Sequence, residues 1–280
     1  MNFVLPYFKL LRPLNLFLAS LSIFLGSAIL GAYDELDTLV PLICVVLFYT
    51  GAANSLNDFI DYKIDLINCP NRPIPSGDVS KNTALIFSII LFIFGSISSI
   101  PLDEKARLIC LGIAMPLMIL YNLLLKGLPL IGNVVVALII SMTFLFCGAA
   151  FNKMGDMIVP ACLSFGLTLV REIVKDLADI DGDKALGMKT LPIVIGIKTT
   201  IRLLIFFIIC TSIGIFLPFL YGFYNSLYGI MIFFGVEIPL GVTTVNLIVK
   251  PGIQSAKNAA KLLKFSTMVG IFAIFFGTLN

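Results

Sequence analysis

Apolar stretches about as long as a bilayer is thick recur along almost the whole chain, and they leave it few ways to fold. They cover residues 14–33, 39–57, 82–101, 106–125, 129–150, 157–175, 200–221, 226–249 and 262–279. A helix of roughly twenty apolar residues spans the hydrocarbon of a membrane. Lipid offers no partner to backbone N–H and C=O groups, so only helices and closed barrels cross it. No stretch alternates polar and apolar residues as a barrel strand must. The expected fold class is all-α, a polytopic membrane protein of nine transmembrane helices, with residues 1–280 forming a single domain. The N-terminal MNFVLPYFKLLRP has no small-residue cleavage site after a short apolar core, so the first span reads as mature protein.

Nine spans put the termini on opposite sides, and basic residues choose between them. The N-terminus and the loops after spans 2, 4, 6 and 8, with adjoining span ends, hold 16 of the 19 Lys and Arg. Lys105, Arg107 and Lys153 lie on the other side. Positive charge collects on the cytoplasmic side, which places the N-terminus there in a multi-pass protein of the cell membrane.

Composition removes several chemistries. There is no His, which excludes imidazole acid–base catalysis and the usual zinc sites. The six Cys are scattered without a CxxC, so neither a thiolate metal site nor a disulfide framework is expected. Net charge is only +3 with no basic run, so nucleic acid is not an expected partner.

Against this background two acidic clusters stand out: NSLNDFIDYKID, from Asn54 to Asp65, and REIVKDLADIDGD, from Arg171 to Asp183. They hold eight of the 16 acidic residues in a chain that is 59% hydrophobic. A carboxylate near lipid is costly and calls for a cationic partner. At about 100° per residue, Asn54, Asp58, Asp61 and Asp65 fall within an arc of roughly 60° on a helix. Glu172, Asp176, Asp179 and Asp183 repeat those offsets, while Asp181 turns to the opposite side if the helix continues past Gly182. Asn57 borders the first stripe. A solvated helix face normally mixes signs. Stripes of one sign and oxygen-only donors suit a hard divalent ion, Mg2+ above all.

Cations follow each stripe. LINCPNRPIPSG ends the first helix and carries Arg72; KALGMKTLP carries Lys184 and Lys189; YNLLLKGLP, after span 4, carries Tyr121 and Lys126. Arg binds phosphate through two parallel hydrogen bonds and Lys as a point charge. Carboxylates beside cations make sense if the bound object is an anion held jointly by metal and protein. Arg12 and Asn15, at the mouth of the first span, could bind a second phosphate, although topology alone would also place a cation there.

NDFIDYKID followed by NRPIPSG resembles the first aspartate motif of the UbiA superfamily of intramembrane prenyltransferases. DLADIDGDKALGMKTLP is similar to the second motif, and YNLLLK to the Tyr–Lys loop between them. The resemblance covers essentially the whole chain. It implies nine helices around a central cavity under cytoplasmic caps, with a prenyl diphosphate whose tail lies in the bundle. It implies a metal set of Asn57, Asp61, Asp65, Asp179 and Asp183 for two Mg2+ ions, and diphosphate contacts from Arg72 and Lys126. Tyr121, Asp176, Lys184, Lys189, Arg12 and Asn15 are further substrate-binding candidates. The second motif region is most similar to the archaeal ether-lipid branch. That implies geranylgeranyl diphosphate as donor and geranylgeranylglyceryl phosphate as acceptor, with membrane lipid as a further partner.

The expected chemistry is breakage of an allylic C1–O bond as cations stabilise the departing diphosphate. The acceptor hydroxyl then attacks C1, and its proton passes to the released diphosphate or to a carboxylate such as Asp58. An aromatic acceptor is the alternative within the same reaction class. A cation transporter is the alternative outside it, but a cation pathway would avoid Arg and Lys beside its acids.

Overall fold

The computed structural model describes residues 4–279, and every regular element among them is a helix. In chain order these are α1 (Val4–Leu11), α2 (Pro13–Ile29), α3 (Leu36–Ile60), α4 (Tyr62–Asn68), α5 (Lys81–Ser98) and α6 (Glu104–Leu125). There follow α7 (Ile131–Ala150), α8 (Ile158–Ala185), α9 (Leu191–Ile195), α10 (Ile197–Leu220), α11 (Ser226–Val249) and α12 (Ile253–Thr278). Among the described residues, eight helices are long and apolar enough to cross a membrane. The count reaches nine if α1 and α2, bent by 52° at Arg12, make one span. The expected ninefold pattern is thus met by composition and length, with its first member broken. The break has a local cause, because Pro13 cannot donate the N–H that would continue α1.

The chain divides into two compact units. The first takes in Met1–Leu125 and Met142–Asp156, and α3 is its centre, packed by α1, α2 and α5. Two hydrogen bonds fix α5 on α3: Ser88 Oγ donates to the Ala52 carbonyl at 2.8 Å, and the Tyr49 and Ser96 hydroxyls pair at 3.0 Å. Gly95 lets the helices approach, since a side chain there would run into the Tyr49 ring and Phe48. At the polar end, Leu10 of α1 packs with Ile74, Val79 and Ala84, with Tyr7, Tyr62 and Phe87 around them. This small core ties α1 to the proline-rich loop that carries Arg72.

The second unit comprises Lys126–Ser141 and Met157–Asn280, with α8 packed by α10 and α12. α8 has 28 residues. Its length of roughly 42 Å exceeds the ~30 Å hydrocarbon core, so its last two turns, which carry Asp179 and Asp183, are long enough to reach beyond the apolar zone. Tyr224 and Tyr228 stack at 4.5 Å, and Tyr228 donates to the Ile215 carbonyl at 2.7 Å.

Outward faces are apolar: Ile86, Ile90, Ile93, Phe94 and Ile97 of α5 are all exposed. In lipid this is the favourable surface, where in water it would be an aggregation patch. Gly95→Leu is expected to destabilise the first unit by about 1–3 kcal/mol, through overpacking against Tyr49. The check is the thermal unfolding midpoint of purified protein in detergent. An unchanged midpoint would mean that the α3–α5 contact is looser than described.

Candidate functional site

In the first unit, one helix was expected from Asn54 to Asp65, and the structure corrects this. α3 ends at Ile60, Asp61 sits at a junction, and α4 begins at Tyr62. The register nonetheless survives. The Asp61 N–H donates to the Asn57 carbonyl and the Asp65 N–H to the Asp61 carbonyl, each at 2.8 Å. These bonds keep the i to i−4 ladder through the break, so the spacing that defined the stripe is retained. Asn54, at the head of the stripe, plays a structural role. Its amide donates to the Leu11 carbonyl at 2.9 Å and satisfies the C-terminal end of α1.

Asp58, Asp61 and Asp65 are 1%, 6% and 3% exposed. Burial of this depth demands partners. Arg12 pairs with Asp58 Oδ1, and Arg72 Nη1 reaches the same oxygen at 3.2 Å and Asp65 Oδ2 at 2.6 Å. Asn57 Nδ2 donates to Asp61 Oδ2 at 3.2 Å. Burial pushes the Asp65 carboxyl above its ordinary value, more than the neighbouring Arg72 charge pulls it down. Burial also works against the Arg72 charge, but Asp58 and Asp65 outweigh it and hold the guanidinium's affinity for its proton above the ordinary level.

Arg12 adopts a left-handed backbone, φ 54° and ψ 73°, immediately before Pro13. Such a conformation costs on the order of 1–3 kcal/mol and persists only where surroundings impose it. Asn15 follows in the first turn of α2, its N–H on the Arg12 carbonyl at 2.8 Å. Tyr121 opens the π-helical last turn of α6 and is half-buried.

In the second unit, α8 continues through Gly182 to Ala185. Asp181 is exposed and Asp183 is 8% exposed, which agrees with their expected opposite faces. Asp179 is exposed, and Asp176 accepts from Asn133 Nδ2 at 2.9 Å. Asn133 was not foreseen; a polar amide near the start of the apolar α7 was the signal available. Glu172, at the head of the stripe, is held by Arg171 at 2.8 Å and Lys175 at 2.7 Å. Lys126 is half-buried, while Lys184 and Lys189 are exposed. Beyond α8, Gly187 takes a φ of 69°, and the Lys189 N–H donates to the Gly127 carbonyl at 3.1 Å, joining this loop to the one that carries Lys126.

Among the described residues, no three His, Cys, Asp or Glu groups converge into a protein-only metal cage. The donors instead come as oxygen pairs one helical turn apart, Asp61 with Asp65 and Asp179 with Asp183. That fits Mg2+, which is usually held by one or two carboxylates together with substrate phosphates and water. Glu172, committed to two cations, serves as a counter-ion. Glu172→Gln is expected to cost about 1–3 kcal/mol of stability, because Arg171 and Lys175 lose their charged partner. The check is the unfolding midpoint in detergent, and no shift would show the pairs to be energetically neutral.

The UbiA prenyltransferase family matches residues 19–267. The digeranylgeranylglyceryl phosphate synthase of Pyrococcus furiosus is 35% identical over 98% of this chain and 97% of its own. A solved structure of a digeranylgeranylglyceryl phosphate synthase is similar with a TM-score of 0.79 at 29% identity, covering 99% of each chain. A UbiA homologue from Archaeoglobus fulgidus, bound to DMAPP and Mg2+, shares the fold with a TM-score of 0.70 at 19% identity, over 96% of this chain and 98% of that one. With its family match running across both acidic clusters and the cationic loops between them, this chain belongs to the UbiA prenyltransferase family.

Proposed function

We propose that the protein transfers a geranylgeranyl group from geranylgeranyl diphosphate to the free hydroxyl of geranylgeranylglyceryl phosphate, releasing diphosphate, in the synthesis of archaeal ether lipids. The observation that carries this reading is near-full-length similarity to digeranylgeranylglyceryl phosphate synthases. Buried carboxylates beside cations at helix ends support it. One family match spans both units, which supports reading residues 1–280 as one multi-pass prenyltransferase domain. The charge bias of the loops supports a cytoplasmic N-terminus and cytoplasmic acidic clusters.

In this reading Asn57, Asp61, Asp65, Asp179 and Asp183 hold Mg2+, as the Mg2+ of the Archaeoglobus fulgidus homologue also favours. Bound Mg2+ would neutralise the diphosphate and make it a better leaving group. Arg72 and Lys126 stabilise charge as it develops on the departing oxygens. The C1–O bond of the allylic donor breaks, and its electron pair leaves with the diphosphate. Apolar walls exclude the water that would otherwise capture the allylic cation. The acceptor oxygen bonds to C1 and loses its proton. The acceptor brings a phosphate of its own, for which Lys9, Arg12, Asn15, Lys184 and Lys189 are the candidate contacts. Tyr121 and Asp176 complete the proposed substrate-binding set.

The test is a competition among geranylgeranylglyceryl phosphate, its dephosphorylated analogue and 4-hydroxybenzoate, with one donor, with and without excess EDTA. Products are read by mass spectrometry. The glyceryl phosphate ether should dominate, and EDTA should abolish it. Preference for the aromatic acceptor, or indifference to loss of the phosphate, would overturn the acceptor assignment. Full turnover in EDTA would overturn the metal.

A further inference from the structure

Arg12 and Arg72 lie 60 residues apart in sequence and converge on one oxygen, Asp58 Oδ1. The Asp58 side chain is 2% exposed, whereas those of Arg12 and Arg72 are 29% and 32% exposed. The carboxylate is therefore enclosed, and each guanidinium keeps part of its surface open. A proton acceptor must come within hydrogen-bond reach of the proton it takes. An enclosed carboxylate whose Oδ1 already accepts from two guanidiniums is poorly placed for that. It is well placed to fix the guanidiniums.

Three further features support this. Arg12 holds a left-handed backbone at the α1–α2 bend, and its neighbour Leu11 is pinned to α3 by Asn54. Arg72 sits on a loop fastened to α1 through Leu10, Ile74 and Val79. Arg72 also has a second anchor in Asp65, at 2.6 Å. Asp65 belongs to the proposed metal set, so its oxygen is shared between Arg72 and that duty. Asp58 is outside the set and holds Arg72 whatever Asp65 binds.

We propose that Asp58 is a positioning residue, which clamps Arg12 and Arg72 side by side so that their open edges meet phosphate oxygens of the substrates. The proposal rests on the prenyl-diphosphate reading above. Two guanidiniums fixed in advance lose little freedom on meeting phosphate, a benefit to binding that Arg72 keeps as the diphosphate departs.

The test uses the full chain in detergent or nanodiscs, with Asp58→Asn, Arg12→Gln and the double variant. Asp58→Asn should raise the KM for geranylgeranyl diphosphate about tenfold and lower kcat by no more than about tenfold, since Arg72 also stabilises the departing diphosphate. It should weaken equilibrium binding of a non-transferable thiolodiphosphate analogue by the same factor. Because Asp58→Asn already frees Arg12, Arg12→Gln should weaken binding by a clearly smaller factor in the Asp58→Asn background than in the wild type. A loss of kcat of about a thousandfold at unchanged KM would make Asp58 a proton-transfer group and overturn the proposal. Wild-type KM and analogue binding in Asp58→Asn would overturn it equally. Should Asp58→Asn fail to fold, Asp58→Glu keeps the charge but displaces both guanidiniums. It should raise KM, and unchanged KM would overturn the clamp. Failure of the wild-type protein to release diphosphate from the donor in Mg2+ would strike the prenyltransferase reading itself, which separates the two failures.

Discussion

A carboxylate enclosed at the edge of an apolar helix bundle must find a cation or a donor, and much of the polar architecture follows from that requirement. In the first unit, Asp58 and Asp65 are satisfied by Arg12 and Arg72. Meeting Asp58 requires a bend before Pro13, a left-handed Arg12, and a loop folded back from α4 onto α1. In the second unit, Glu172 takes Arg171 and Lys175, and Asp176 takes the Asn133 amide. A buried ion pair is weak evidence for stability, since desolvation offsets most of its attraction. Groups so costly to bury are better explained by what they bind.

The same charge arrangement suits the proposed departure of a diphosphate. Cations that neutralise carboxylates in the resting protein are of the sign needed by a leaving group. Asp61 with Asp65, and Asp179 with Asp183, are oxygen pairs of the kind Mg2+ shares with phosphate. The apolar helices contribute exclusion of water, without which an allylic cation would end as an alcohol. Membership of the UbiA prenyltransferase family and this chemistry point the same way.

The helical class and the spans were legible in the sequence, because apolar length is set by bilayer thickness and leaves little freedom. The offsets of +4, +7 and +11 were legible for the same reason, since helical pitch fixes which residues share a face. α1 escaped notice because its eight residues are too few to register as a span, and its value lies in contacts of Leu10 with residues more than sixty positions away. The break at Asp61 carried no Pro or Gly to announce it. π-helical turns such as Tyr121–Leu125 left no sequence mark either. The Arg12–Asp58 pair spans 46 residues, and no local pattern encodes a pairing of that range. Sequence alone therefore left Asp58 as a candidate proton acceptor, and only its neighbours redirect the reading.

The central claim is that the bond broken is the allylic C1–O bond of a prenyl diphosphate. Geranylgeranyl diphosphate carrying oxygen-18 at the bridging C1–O position tests it without depending on the acceptor. After turnover with Mg2+, the label should be found in released diphosphate and be absent from the prenylated product. Label retained on the prenyl carbon would mean cleavage at phosphorus, and would contradict alkyl transfer as the reaction of this protein.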